Sequence, residues 1–369
     1  MLTVILIIVL FASLVILHEW GHFVAARRNG VEVEEFGIGF VYRLWAKKIG
    51  KTIYSINVLP LGGFVRLKGE DSNDTGNGTF ASASIMAKTK ILLAGVVVNV
   101  LTCFVMLYAL CVTGLPALSG GFEPAFLHST NAAPKQLILV DVVPGSPAAA
   151  VGLKRGDYIV DGNGRALTTD DDLRTFTKDN AGKAVTLTVR SAGDERDVTV
   201  KLRGPNTTTG YLGVESQQVY KIKYDPLTAV VAAAYVTGAL VVATIVGVVK
   251  LILSIPVLIL GLFAKGVPTQ ADQASGPIGI FFLFEGVSAL GTAYLFLLMA
   301  NIAAALAAFN VMPIPALDGG RLAIIWLEKW RGRKIRPETE ARIHAIGFLA
   351  LIAFVVLISV YDLRKQFGG

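Results

Sequence analysis

An uncharged, mostly apolar run, Leu2–Leu17, leads directly into His18-Glu19-Trp20-Gly21-His22, and only then do Arg27 and Arg28 close the segment. A helix this long can cross a bilayer. An ionisable side chain at such depth costs ~2.5–3.5 kcal/mol, so the group must face protein or a wet cavity and do something there. Residues four apart share a helix face, so His18 and His22 can offer two imidazole nitrogens to one ion. Glu19 lies beside them, placed to take a proton from a water that the ion activates. H-E-x-x-H turns up by chance in soluble chains, but inside an apolar segment its cost makes chance a poor account.

The rest of the chain is organised around further apolar clusters. Of 369 residues 53% are hydrophobic and 17% charged, and the apolar ones gather in Leu2–Ala26, Ile91–Val112, Leu227–Phe263, Ala289–Val311 and Ile343–Val360. A stretch of ordinary soluble composition, Phe126–Gln218, separates the second from the third. The first segment lacks a basic n-region and a small-residue cleavage site, so it reads as a retained helix rather than a signal peptide.

Charge is informative by position. Lys and Arg collect at Arg27–Arg28, Arg43–Lys51, Arg66–Lys68, Lys88–Lys90 and Lys329–Arg336. Under the positive-inside rule those groups are cytoplasmic, so the N-terminus and Phe126–Gln218 lie outside, while Val31–Ala87 and Arg321–Pro337 lie inside. No basic stripe marks the soluble stretch, and a nucleic-acid partner is not expected. Cys103 and Cys111, eight residues apart on one span, are too far separated to share a metal or a disulfide, and read as packing.

A zinc site needs a third protein ligand. His128 and His344 have no partner motif around them and read as surface or packing histidines. Asp318 is the stronger candidate, in Asn310-Val311-Met312-Pro313-Ile314-Pro315-Ala316-Leu317-Asp318-Gly319-Gly320. Two prolines break the helix there, and Gly319 and Gly320 are expected to permit a tight turn. Broken backbone at membrane depth is tolerated where it is buried in protein or lines a cavity.

H-E-W-G-H in the first span and N-V-M-P-I-P-A-L-D-G-G in a late one together resemble the site-2 protease family of intramembrane zinc metalloproteases. The likeness is to the bacterial regulated-intramembrane-proteolysis branch that carries an extracytoplasmic PDZ domain. Phe36–Phe40, Tyr54–Val65, Ala94-Gly95 with Asn99, and Ser275–Gly279 look like the same branch, in order along nearly the whole chain. The resemblance implies Zn2+ held by His18, His22 and Asp318, Glu19 as general base, and Asn310 and Asn99 at the substrate. Many relatives have tandem PDZ domains; this chain has room for one.

Within the soluble stretch, Leu137–Val143, Ala184–Val189 and Asp197–Leu202 alternate like strands, and Thr169–Lys178 fits a helix. Pro144–Ile159 looks like the PDZ signature of a short helix followed by a tight turn into a strand. Tyr211, Leu212 and Gly213 resemble the carboxylate-binding loop, placed late as in circularly permuted bacterial PDZ domains. Such a groove suits a peptide ligand by strand addition, and the domain suits a steric cap equally well. On the cytoplasmic side, Lys51–Asn57 and Gly62–Gly69 read as two strands joined by Val58–Leu61. The resemblance implies a hairpin against or within the bilayer, whose Gly62, Gly63, Phe64 and Val65 hold an unwound substrate as an added strand.

The expected fold is therefore a polytopic α-helical membrane protein with about four transmembrane helices, a membrane-associated β-hairpin and one permuted PDZ domain outside. Its segments are 1–28 (first span), 29–87 (cytoplasmic loop and hairpin), 88–114 (second span), 126–218 (PDZ), 226–265 (helices at the outer leaflet), 274–320 (third span), 321–337 (cytoplasmic loop) and 338–362 (fourth span). Leu227–Phe263 is assigned to the outer leaflet because one crossing would carry Asp318 to the wrong side. Lys250 and Pro256 are expected to interrupt it. The expected activity is hydrolysis of single-span membrane proteins in the inner membrane of a bacterium, on anti-sigma factor or signal-peptide remnant substrates. Two other readings are weaker. A membrane-anchored PDZ adaptor with a dead zinc site leaves Glu19 unexplained. A divalent-metal transporter needs polar ligands along a path, and the remaining spans offer little beyond Asn99 and Asn301.

Overall fold

The computed structural model describes residues 2–70, 76–118, 127, 131–132, 136–191, 194–205, 210–263, 279, 284, 287 and 291–367. In chain order the first elements are α1 (Leu2–Arg28), β1 (Val33–Ile49), β2 (Thr52–Leu67), α2 (Ile85–Thr113), β3 (Leu115–Leu118), β4 (Asn131–Ala132) and β5 (Gln136–Val142). Then come α3 (Pro147–Ala150), β6 (Tyr158–Gly162), β7 (Arg165–Ala166), α4 (Asp170–Asp179), β8 (Ala184–Ser191), β9 (Asp194–Lys201) and β10 (Val214–Lys223). Five helices close the described chain: α5 (Pro226–Leu253), α6 (Ile255–Phe263), α7 (Thr292–Val311), α8 (Asp318–Arg331) and α9 (Pro337–Phe367). The chain divides into two compact units. One comprises Met1–Met106, Thr237–Phe284 and Leu298–Gly369, the other Leu107–Val236 and Glu285–Leu297.

In the first unit α1 and α2 touch backbone to backbone. A Cβ on Gly21 would fall 2.7 Å from the Ala94 carbonyl oxygen, so only glycine permits this approach. His18 meets Asn99 while His22 meets Ile91, which makes the pair antiparallel. Phe23, Ala26, Ile91 and Leu92 then share a buried cluster with Val33 and Leu67 of the sheet, against which Leu322 and Ile325 of α8 pack.

The sheet refines one expectation, the two strands expected at Lys51–Asn57 and Gly62–Gly69. Thr52–Leu67 pairs as two halves of opposite direction, 53–56 and 63–67, which lie on either side of the start of β1 rather than against each other, and a further hairpin turn at Gly50-Lys51 pairs Ile49 with Thr52. Glycine suits that turn because Gly50 has φ 62°. Phe36 is paired with both Val65 and Tyr54, and Gly37 with both Phe64 and Ser55, so the two halves of β2 flank the start of β1. The buried Glu35 carboxylate binds this assembly together through Arg43 (2.7 Å) and the Ser55 hydroxyl (2.6 Å).

One correction concerns residues 321–337, expected as a loop. Most of them belong to α8, whose Leu322 and Ile325, three apart, give it an apolar face, and Gly332 ends it in the left-handed conformation (φ 63°). Arg321 pairs with Glu70, and the Trp326 indole donates to the Thr89 hydroxyl (3.2 Å), fixing the helix further.

Five helices are long and apolar enough to cross a membrane: Ile8–Arg28, Ile85–Thr113, Pro226–Leu253, Thr292–Val311 and Glu338–Leu363. The one beyond the expected four is α5. It runs unbroken through Lys250, and the helix is interrupted at Ser254, where Pro256 has no N–H to give the preceding turn and its ring crowds the carbonyl four residues back. Cys103 and Cys111 are both buried and free. Of the Ser275–Gly279 motif only Gly279 lies among the described residues, and His128 lies outside them.

In the second unit the strands form a sheet of order β3-β10-β5-β6-β8-β9, with β4 on β10 and β7 on β6. The strands read from alternation fall on β5, β8 and β9, and their inward residues Leu137, Leu139, Leu187 and Val189 pack against Leu173 and Phe176 of α4. Thr169 caps α4 in a reciprocal pair with Asp172, which explains why the helix starts there. The sheet outruns the expected boundary at Gln218. Val219 and Ile222 are buried, and β10 continues to Lys223 alongside β3.

Candidate metal centre

His18 and His22 project from one face of α1, four residues apart. Their Nε2 atoms are 3.1 Å from each other, and 3.2 and 3.3 Å respectively from Asp318 Oδ2. Three polar atoms so placed face a common point. Zinc bound tetrahedrally at about 2.0–2.1 Å has neighbouring ligand atoms about 3.3–3.4 Å apart, so this triangle is the size of one face of its coordination shell. The side chains around the triangle fit an ion as well. His22 Nδ1 lies 2.8 Å from the Ile91 carbonyl, so its proton belongs on Nδ1 and its lone pair on Nε2. Gly95 on α2 leaves the space open, since a Cβ there would sit 2.5 Å from both His18 Cε1 and His22 Nε2.

The segment Met312–Leu317 delivers Asp318 to this point. Ala316 has φ 76°, a conformation costly for alanine, and its N–H donates to His344 Nδ1 at 2.9 Å. Gly319 and Gly320 are helical and buried rather than a tight turn. A Cβ on either would overlap carbonyl oxygens, of Met312 for Gly319 and of Ile314 for Gly320. The expectation of a turn there is corrected to a close crossing of backbone, with the strain at Ala316 instead. Glu19, partly buried, is next to the triangle, with the Val65 backbone against its carboxylate. A buried pair of histidines and a carboxylate aimed at one point, with a second carboxylate beside them, is a metallohydrolase arrangement.

The family model for peptidase family M50 matches residues 6–354. The chain belongs to peptidase family M50. It is accordingly a zinc metalloprotease of the site-2 type, built as a multi-pass membrane protein. A Clostridium acetobutylicum protein named as a candidate zinc metalloprotease is 28% identical over 360 residues, covering 97% of this chain and 96% of its own. The regulator of sigma-W protease RasP of Bacillus subtilis is 26% identical, covering 99% of each chain. The zinc metalloprotease RasP of Geobacillus kaustophilus is also 26% identical, covering 99% of this chain and 98% of its own.

The residues expected at the substrate divide into groups. Gly62 and Gly63 pack on α1 beside Val15, Ile16 and Glu19, which brings the Gly62–Val65 stretch to Glu19. Asn310 donates to the Leu306 carbonyl within its own helix at 3.0 Å. Asn99 is fully buried, with its Nδ2 3.1 Å from His18 Nδ1. Tyr211, Leu212 and Gly213 line a cavity of about 570 Å3 in the second unit, together with Leu173, Arg174 and Thr177 of α4. His344, read from sequence as packing, holds the strained backbone two residues before Asp318. Its only signal in the sequence is an ionisable residue near the start of an apolar segment.

Proposed function

We propose that this protease cuts single-span membrane proteins within or beside their transmembrane segments, making the second cut of regulated intramembrane proteolysis, with anti-sigma factors or signal-peptide remnants as substrates. The observation that carries this reading is the burial of His18 and His22 in the interior of one apolar helix packed against another. A site at such a place is reached from the bilayer. The sigma-W regulator among the relatives favours the regulatory setting.

Zinc bound by His18, His22 and Asp318 would lower the pKa of a water to ~7 and polarise the scissile carbonyl. Glu19 accepts the proton of the attacking water and returns it to the departing amine nitrogen. A helical substrate has its peptide groups engaged, so it must unwind first, and the Gly62–Val65 stretch beside Glu19 is placed to hold the unwound chain as an added strand.

The basic groups at Arg27–Arg28, Arg43–Lys51, Lys88–Lys90 and Lys329–Arg336 favour an inner-membrane topology with the N-terminus and Phe126–Gln218 outside. We read α5 and α6 as packed obliquely in the outer half of the membrane, over the substrate entrance. Leu251 and Leu258 pack at Phe354–Tyr361 of α9, beginning ten residues and about 15 Å of helix beyond His344, which marks the level of the site. The soluble unit is read as a permuted PDZ domain. Along Val214–Gln218 β10 pairs with β5 on one edge, and α4 faces the cavity alongside, as strand addition requires. Standing outside, such a domain also excludes substrates with bulky outer portions.

The test is Glu19→Gln, which removes the base and spares the ligands. The expected protein binds zinc like the parent and does not cleave a generic single-span substrate in detergent. Substantial residual cleavage would sink the assignment of Glu19.

A further inference from the structure

We infer that Asn99 is a positioning residue that fixes the tautomer of His18 for metal binding. A histidine that ligates through Nε2 must carry its proton on Nδ1, and that proton needs an acceptor. For His22 the acceptor is the Ile91 carbonyl. For His18 the group at Nδ1 is the Asn99 amide, whose Nδ2 stands 3.1 Å away, while its Oδ1 is buried with no hydrogen-bond partner among the described residues. The two ends of an amide are told apart by the hydrogen bonds they make. With Nδ2 toward His18, the imidazole proton sits on Nε2, between His22 Nε2 and Asp318 Oδ2, where an ion would be shut out. Turned by half a rotation, Asn99 Oδ1 accepts from His18 Nδ1–H, and His18 offers its lone pair to the same point as His22. The sequence spacing supports this assignment: Gly95 and Asn99 are four apart, on one face of α2, so one turn supplies the room for the imidazoles and the next supplies the acceptor.

The reading separates two roles for Asn99. A substrate contact would change cleavage and leave zinc affinity alone; a positioning residue changes zinc affinity first. Full-length protein in detergent is prepared as Asn99→Leu, similar in size with no acceptor, and as Asn99→Asp, which keeps acceptors and has no donor. Zinc affinity is read by competition with a chelator, and ligand geometry by the visible spectrum of the cobalt-substituted protein. We expect Asn99→Leu to bind zinc about 10–100-fold more weakly, the usual cost of losing such a partner, and its cobalt spectrum to lose tetrahedral character. Asn99→Asp should hold zinc within a few-fold of the parent. Thermal unfolding of the metal-free proteins identifies a variant that has not folded, in which case the folded Asn99→Asp protein decides. Parental zinc affinity in Asn99→Leu, or an equal loss in both folded variants, overturns the proposal.

Discussion

Replacing Gly95 by alanine adds a single methyl group directly against both imidazoles. The new Cβ would lie 2.5 Å from His18 Cε1, 2.5 Å from His22 Nε2 and 2.7 Å from His18 Nδ1, against an ordinary contact of at least 3.4 Å. Restoring contact distance therefore moves one or both rings by about 0.9 Å, whereas metal sites tolerate about 0.2 Å in ligand position. His22 cannot retreat freely, because its Nδ1 is held by the Ile91 carbonyl. A misplacement of ~1 Å costs roughly 100-fold in a positioned reaction. In a helix interior alanine is otherwise favoured over glycine by about 1 kcal/mol, so the helix itself gains. We expect Gly95→Ala to remain folded, to lose zinc affinity by roughly 100-fold or more, and to lose cleavage with it. Gly247→Ala is the control, since a Cβ there meets nothing within 4 Å. The assay is zinc content after dialysis against a graded chelator series, with cleavage of a single-span substrate in parallel. Zinc affinity within about threefold of the parent would refute the argument that α2 frames the metal centre.

Four further outcomes are expected. Thr169→Ala should lower the stability of the sheet unit by ~1 kcal/mol in urea titration, the usual cost of a lost helix cap. Hydrogen bonds from Thr169 first, then Thr168, hold the Asp172 carboxyl below its ordinary value; the stability it adds is present above the unfolded pKa of ~3.9 and lost as pH falls through the lower folded value, so Asp172→Asn should flatten the unfolding curve in that acid window. Deleting Phe126–Gln218 should let the enzyme cleave substrates with large outer domains that the intact chain ignores, and an unchanged size preference in a cleavage assay would place exclusion elsewhere. Lys250→Cys should react with an impermeant thiol reagent added from outside intact cells; labelling only from the cytoplasmic side would overturn the outer-leaflet reading in favour of a two-span hairpin.

The juxtaposition of His18 and His22 is legible in the sequence because their cost in an apolar segment makes them conspicuous, and because four-residue spacing on a helix is fixed by local geometry. The strands of the soluble unit are legible for a similar reason: one buried face imposes alternation on Leu137, Leu139, Leu187 and Val189. Long-range choices are not. Whether the two halves of Lys51–Gly69 pair with each other or on either side of β1 depends on partners far upstream, and the apolar run looks alike in either case. Gly319 and Gly320 announce an exceptional backbone, but a turn and a close crossing need the same residue, and only the carbonyls of Met312 and Ile314 distinguish them. Asn99 and His344 carry ordinary polar side chains, and what they do is set by which atoms the fold brings to them: His18 Nδ1 for one, the Ala316 N–H for the other. Chemistry that a single helix presents can be read along the chain, because spacing alone puts His18 beside His22. Asp318 stands 300 residues from His18, and the contact that joins them exists only once the helices have packed.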